Sequence, residues 1–415
     1  MHGNHHGCSD AQNPGAPGAA VGELAAIEPA QRDRLHRIGL SDALGALRVR
    51  SGGPRGLIDG RSRGRACGEP AVSIHELAPG DEAAYTAYVR AHRDATVFHS
   101  LAWRRAVEDA FGHRAVYYMA RRGREVAGVL PLFKVESWLA GRLLVSVPYG
   151  VYGGVLASDA DAAECLLAAG KRLADQMNAR SVEFRSRTPL DNTLPVMSDH
   201  ATFRRDLPGC ESQLETFLPR KARAAARKAT ERHELSAEFG ADHLDVVWEL
   251  YARSMRRLGS VNYPKRFFHA LAAHAGSGMI VQMVRYAGRP VAGLVSFVHR
   301  DEFMPYFVGF DDRVALYGVS QYLYLASMRW AVRNGCRVYD FGRSRVDNRG
   351  AYEFKRLCGF EPQPLGYQVY VPAGRTAPDL SAGSTKWQLA RRAWKYLPLA
   401  VARPLGAWLS KSIPG

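Results

Sequence analysis

The sequence predicts an α/β protein built from two tandem domains of one design, each a mixed sheet flanked by helices. Two observations carry this. "MARRGREVAGVLPLF" (Met119 to Phe133) and "VRYAGRPVAGLVSFV" (Val284 to Val298) share Gly-Arg-x-Val-Ala-Gly, and each reads as an apolar hairpin turning at Gly123 or Gly288. The surroundings of the two copies also agree. A helical segment with aromatic anchors precedes each ("FHSLAWRRAVEDAFG"; "YPKRFFHALAAHAG"). A further strand follows, then a long amphipathic helix ("DAAECLLAAGKRLADQMNA"; "VSQYLYLASMRWAVRNG") and a short strand ("SVEFRSR"; "RVYDFGRS"). Unrelated hairpins with a common turn would not share neighbours in this order.

In chain order, residues 1–70 contain no lysine and no Phe, Tyr or Trp, and end arginine-rich in "RVRSGGPRGLIDGRSRGRACG". With little to bury, this extension is expected to be disordered, with the true start near Val72. The histidines of "HGNHHGC" lack matching ligands, so no metal site is expected. The first domain runs over 71–215, opening with a strand, an acidic turn and a helix in "VSIHELAPGDEAAYTAYVRAH". A basic helical connector, 216–240, contains "LPRKARAAARKATERHEL", which puts Arg220, Arg223 and Arg227 on one side and Lys221 and Lys228 on another. It is either a solvated helix or a polyanion contact through Lys221, Arg223 and Arg227. The second domain, 241–373, is expected to carry the chemistry. The tail, 374–415, has no acidic residue after Asp379. Its Trp387, Trp394, Leu397, Val401, Leu405 and Trp408 recur at helical spacing, interrupted by Pro398 and Pro404. Two short amphipathic helices follow from this, packed back on the second domain or lying on an anionic membrane.

The 415 residues carry a net charge of +16, which favours polyanions such as RNA, nucleotide diphosphates or acidic membrane surfaces. Six dispersed cysteines without a CxxC pair indicate a reducing compartment. The longest run free of Asp, Glu, Lys, Arg and His, Leu143 to Ser158, holds Pro148 and three glycines and is too short to span a bilayer. The expectation is a cytoplasmic protein.

Candidate chemistry centres on "DNRGAYEFKRLCGF". Asn348 or Asp347 can cap a short helix ending at Gly359, with Ala351, Phe354 and Cys358 inward and Tyr352 and Lys355 on the flank. Lys355 there either snorkels to solvent or reaches a cleft. Asp340 and Arg343 end the last repeat strand, where α/β sheets place ligands or form a structural ion pair. Tyr306 of "MPYFVGF" lines the cleft or the core. Arg257 binds phosphate or ends a helix favourably. There is no Ser/His/Asp order, metal spacing or paired-carboxylate site.

Tandem copies of meander, helix and strand are the layout of the GNAT (acyl-CoA N-acyltransferase-like) fold, which the two domains are expected to adopt. Its usual pyrophosphate loop, Q/R-x-x-G-x-G/A at a helix N-terminus, is missing from "PYGVYGGVLASDAD" and "GFDDRVALYGVSQY". From about Val72 to Val371 the chain resembles the Fem-type aminoacyltransferases, and most closely the FemAB-like proteins of PEP-CTERM/exosortase systems. The resemblance rests on "FHSLAWRRAV", "FLPRKARAAARKA", "YARSMRRLGSVNYPKRFF", "FMPYFVGF", "SMRWAVRNGCRVYDFG" and "YEFKRLCGFEPQPLGYQVY". It implies transfer of an aminoacyl or acyl group to an amine of a cell-envelope or exopolysaccharide precursor. The implied donor is aminoacyl-tRNA, or alternatively acyl-CoA, with no permanently bound cofactor and no DNA partner. The family's Phe-Lys pair falls on Phe354 and Lys355, which places the lysine beside the reacting ester. Its diphosphate-contacting arginine falls on Arg257, its meander tyrosine on Tyr306 or Phe307, and Trp103 is carried over as a substrate contact. The family's early lysine is Val107 here, with Arg104 and Arg105 nearby. A lysine suits the reaction because a fixed cation stabilises the tetrahedral oxyanion more than the neutral ester. An acyl-CoA-dependent N-acetyltransferase of an envelope sugar, a non-catalytic GNAT-fold binding protein and an RNA-binding protein are the competing expectations.

Overall fold

The computed structural model describes residues 71–376, except 315, and 385–414, with the side chains of 385–388 left aside. Expectations for residues 1–70, including the histidine cluster and the start near Val72, and for Trp387 lie outside the described residues.

The chain forms β1 (Val72–Glu76), α1 (Glu82–Ala91), α2 (Leu101–Phe111), β2 (Arg114–Arg122), β3 (Glu125–Ser137), β4 (Gly141–Val145), β5 (Leu156–Ala157), α3 (Ala160–Gln176) and β6 (Ser181–Ser186). It continues through β7 (His200–Asp206), α4 (Leu214–Phe217), α5 (Arg220–His233), β8 (Ser236–Phe239), α6 (Leu244–Leu258), α7 (Lys265–Ala275), β9 (Met279–Tyr286), β10 (Arg289–His299) and β11 (Glu302–Phe310). The remaining elements are α8 (Val319–Arg333), β12 (Val338–Arg345), α9 (Arg349–Leu357), β13 (Pro362–Pro364), β14 (Gly366–Tyr370), α10 (Thr385–Trp394) and α11 (Leu399–Ser410).

Two mixed sheets of seven strands result, β1-β2-β3-β4-β6-β14, with β5 also on β3, and β13-β7-β12-β11-β10-β9-β8. The repeated motif forms the β2–β3 and β9–β10 hairpins, whose turns use Gly123 (φ 59°) and Gly288 (φ 74°) in the left-handed region. Both hairpins also slip register next to the turn, between Ala120 and Arg121 and between Pro290 and Ala292. After four antiparallel strands, each copy adds one parallel strand: β6 on β4, and β12 on β11.

The boundaries expected at residues 215 and 373 do not coincide with the sheets, because the halves exchange strands. β7, from the first half of the chain, joins β12 in the second sheet, and β14, from the end, joins β6 in the first. Both sheets accordingly lie in one compact unit, Arg65–Gly415. The stretch 216–240 is no free connector: α5 buries Ala222, Ala225, Ala226 and Ala229, and β8 forms the edge of the second sheet.

The aromatic helices of the two copies pack on each other. Phe267 of α7 lies edge-on to Trp103 and Phe111 of α2, at centroid distances of 5.6 and 5.0 Å, within one core cluster shared by both halves. The tail also packs back. Buried Ala402, Gly406 and Ser410 line one side of α11, the Asn262 side chain donates to the Arg403 carbonyl at 3.2 Å, and Ser137 Oγ donates to the Ser412 carbonyl at 2.7 Å.

Candidate functional site

The two parallel strands of the second sheet pair only at Glu302–Val338 and Phe303–Tyr339, and then part. A register slip between Asp340 and Arg343 in the β12–β7 pairing, with Gly342 at φ 65°, turns β12 away and opens a gap on its β11 side. Chain from the first half fills part of this gap. The Tyr306 hydroxyl of β11 donates to the Tyr149 carbonyl at 2.5 Å, the Tyr152 hydroxyl donates to Asp340 Oδ1 at 3.2 Å, and the Tyr367 hydroxyl donates to the Val151 carbonyl. Residues 147–152 therefore form a wedge between the sheets.

The glycines beside the wedge serve close packing rather than phosphate binding. A Cβ on Gly154 would overlap the backbone of Ser186, and the amides of Gly153 and Gly154 both donate to the Arg185 carbonyl at 3.1 Å. In the second half, Gly318 at the start of α8 lies so close to the Ala225 carbonyl of α5 that a Cβ would overlap it.

Two arginines at the end of β6 organise the charge. Buried Arg185 donates to the Val147 and Gly150 carbonyls, both at 2.9 Å, and pairs with Glu183, which holds the wedge in place. Arg187 donates to both oxygens of Glu302 at 2.8 and 3.0 Å, and its Nη2 lies 3.7 Å from Asp340 Oδ2 and its Cζ 4.6 Å over the Tyr152 ring. Burial opposes the charge on Arg187, but Glu302, Tyr152 and Asp340 raise its pKa above the ordinary value. Burial and the nearby Glu302 push Asp340 up to about 6, against the pull of Arg187. Half-buried Arg343 stands 5.5 Å from the Tyr367 ring; burial opposes its charge, yet the fields of Tyr367, Glu183, Tyr306 and Tyr263 raise its pKa.

A cavity of about 340 Å³ opens beside this cluster, lined by His99, Tyr152, Gly154, Ser186 and Arg187 and by the first turn of α3. Ser186 Oγ, Arg187 Nε and Asp340 Oδ2 are buried without hydrogen-bond partners among the described residues. Asp159 caps the N-terminus of α3 and lines the cavity with Asp94, so a phosphate or carboxylate there would be met by Arg93 and Arg187 rather than by the helix end. His99 is not a free base here. Its Nδ1 accepts from the Thr96 amide at 3.1 Å, so its Nε2–H faces the Gly154 carbonyl at 3.2 Å, and burial pulls its pKa down to about 3. A larger cavity, about 700 Å³, lies at the start of β12 around Asp206, Asp301 and Cys336, away from the gap.

Residues 218–356 match the family described as acetyltransferase (GNAT) domain. The crystal structure of FemX matches with a TM-score of 0.54 and 14% identity, covering 72% of this chain and 97% of that one. A conserved protein of unknown function from Bacteroides thetaiotaomicron VPI-5482 matches with a TM-score of 0.50 and 11% identity, over 72% of this chain and 98% of that one. No curated protein matches by sequence. The chain carries two GNAT-type folds. Within them, the parted strands β11 and β12 form the V of the second GNAT sheet, and the wedge comes from the first.

The GNAT frame places the sequence-predicted residues unevenly. Tyr306 and Arg343 stand on the two strands of the V, and Asp340 lies buried at its base. Lys355 points inward, but not into an open cleft. Its ammonium donates to the carbonyls of Phe341, Gly342 and Arg343 at 2.8, 3.0 and 3.1 Å, and sits 5.1 Å from the Phe203 ring centroid. All three N–H groups are thus committed to backbone, and none is left for an oxyanion in this arrangement. The physical reason is the register slip in β12, which leaves three carbonyls without ladder partners for a cation to gather. Burial pulls this lysine down to about 7, against the field of Asp340.

Tyr352 is not on a free flank but packs edge-on to Phe203 at 5.1 Å, while Ala351 is exposed. Phe354 packs on Tyr324 at 5.3 Å. Trp103 is a core residue whose Nε1 donates to the Pro148 carbonyl at 3.3 Å, steadying the start of the wedge. Arg257 is exposed in the last turn of α6. Lys221 and Arg227 are exposed on α5, with Arg227 3.6 Å from Glu231, and Arg223 donates to the Glu215 carbonyl.

Sequence reasoning missed Arg185, Arg187 and His99. The signal for the arginines was present: "SVEFRSR" occupies in the first repeat the place that "RVYDFGRS" occupies in the second. The end-of-strand argument that selected Asp340 and Arg343 applies equally to Arg185 and Arg187.

Proposed function

We propose that this protein transfers an acyl or aminoacyl group to an amine at the V between β11 and β12, under the wedge. The observation that carries the reading is the pair Tyr306 and Arg343 on the two parting strands, with the Arg343 guanidinium 5.5 Å from the Tyr367 ring. The amine nitrogen attacks the carbonyl carbon. The carbon–oxygen bond of a tRNA ester, or the carbon–sulfur bond of an acyl-CoA, then breaks, and the proton lost by the amine ends on the leaving hydroxyl or thiol. Arg343, rather than Lys355, faces the oxyanion. One preorganised donor of this kind typically lowers the barrier by about 3 to 4 kcal/mol. Lys355 is a positioning residue that holds the bent segment of β12 from which Arg343 projects. The Arg187 cavity receives an anionic part of the substrate.

We read the donor as aminoacyl-tRNA, with acyl-CoA as the competing donor. The former follows the sequence resemblance to the Fem-type aminoacyltransferases. The acceptor class, a cell-envelope or exopolysaccharide precursor, comes from the sequence resemblance to exosortase-associated FemAB-like proteins. Lys221, Arg223 and Arg227 remain the proposed tRNA contact.

The test is donor-dependent transfer to an amine-bearing precursor fraction, using radiolabelled acetyl-CoA after ribonuclease treatment or tRNA charged with radiolabelled amino acids. Transfer from charged tRNA alone is expected. Transfer from acetyl-CoA would reassign the donor, and transfer from neither would overturn the reading.

A further inference from the structure

The outward side of the carboxy-terminal helix is apolar. On α11 the inner row is Ala402, Gly406 and Ser410, and the outer row is Val401, Leu405 and Trp408, all exposed, with exposed Pro404 between them. Trp408 is 61% exposed and stacks at 5.8 Å on Trp138, itself 62% exposed, from the turn between β3 and β4. Leu389 of α10 and Tyr396 of the link, 87% exposed, extend the apolar surface. A helix that only packs on a protein turns polar residues outward, and two stacked, exposed indoles call for a partner.

The tail is held to the body by the inner row of α11, by Arg403, which pairs with Glu249 and lies 5.9 Å from the Trp248 ring, by Trp408 on Trp138, and through its backbone. The carbonyls of Lys395 and Leu397 accept from Arg256, the Arg403 carbonyl from Asn262, the Ser410 carbonyl from Tyr149, the Ser412 carbonyl from Ser137 and the Pro414 carbonyl from the Tyr149 amide. Within the outer row, Trp408 makes one of these contacts, while Val401 and Leu405 face outward. Arg391, Arg392 and Lys395 of the same tail are exposed, as is Arg257 at the end of the helix on which the tail is anchored, and residues 380–415 contain no acidic side chain.

We propose that this face docks on the surface of an anionic lipid bilayer. The indoles and the apolar row enter the headgroup boundary, and the cations meet the lipid charge. With 12 residues, α11 is too short to span and lies on the surface. A second copy fits less well, because a self-facing contact would bring the same cations together. The proposal is independent of the transfer reaction, and it places the body of the enzyme beside lipid-linked amines.

The test is sedimentation of the full chain with vesicles of phosphatidylcholine alone or mixed with phosphatidylglycerol. Binding to the mixed vesicles only, weakened by salt, is expected. The exposed triple change Arg391→Glu, Arg392→Glu, Lys395→Glu should weaken it by at least about a hundredfold. The double change Trp138→Ala, Trp408→Ala should weaken it too, at an unchanged circular-dichroism melt. Absence of binding to mixed vesicles, equal binding to neutral ones, or a dimer in solution that Trp408→Ala dissolves would each overturn it. If the tryptophan variant fails to fold, the charge variant still decides.

Discussion

Arg187, just past the end of β6, donates to both carboxylate oxygens of Glu302, the first residue of β11, at 2.8 and 3.0 Å. This fork joins the sheets at the mouth of the V, and Arg204 supports the same carboxylate at 3.1 Å. Arg187→Met leaves buried Asp340 without its counter-charge. Breaking a buried pair in this way is expected to cost about 3 to 5 kcal/mol of unfolding free energy. Because Asp340 already sits at about 6, the deficit should grow as pH rises through that value and its carboxylate ionises, and shrink below it. Arg187→Lys, which keeps the charge but loses the planar guanidinium over the Tyr152 ring, should lose less. Denaturant titrations of both variants across pH 5 to 8 check this.

Lys355 has a pH signature of the same sign in a higher window. Its folded-state value of about 7 lies below the ordinary 10.5, so between those values the unfolded chain binds the proton that the folded chain releases. Wild-type stability relative to Lys355→Met should therefore rise with pH from about 7 towards 10.5 and be flat below 7. A difference that falls with rising pH would contradict the buried, carbonyl-bound placement.

His99 should stay neutral. Nδ1 accepts from backbone and burial holds the group near 3, so its ring protons should show no titration between pH 5 and 8 by NMR. His99→Ala would also release the Gly154 carbonyl and loosen the cavity wall, and should lower activity without moving the acid limb of the pH profile.

Strand exchange predicts that the halves do not fold alone. A fragment ending at residue 215 lacks β14, so the edge of β6 is bare, and it carries β7 with no sheet to join. It should aggregate or remain unfolded by circular dichroism, whereas a fragment covering 71–376 should melt in one transition.

The hairpins were legible because their signal is local: a glycine turn, alternating apolar residues and a second copy of both. The aromatic helices were legible for the same reason, although that Trp103 and Phe267 meet each other was not. The exchange was hidden because "ATFRRD" and "GYQVY" are short alternating strands, and nothing within them says which sheet's edge they complete. The wedge was hidden because glycine spacing reads alike whether it serves a ligand or a tight packing contact. Lys355 shows the remaining limit. Its inward direction could be argued from the helix, but its three carbonyl acceptors arise from a bulge in another strand, which only the tertiary fold reveals.

Single-turnover transfer with Arg343→Met tests the central claim most directly, read against the wild type with whichever donor supports the reaction. The account predicts a rate lower by about a hundredfold or more, with donor and acceptor binding largely kept and the fold intact. A variant that transfers the group at the wild-type rate would contradict it.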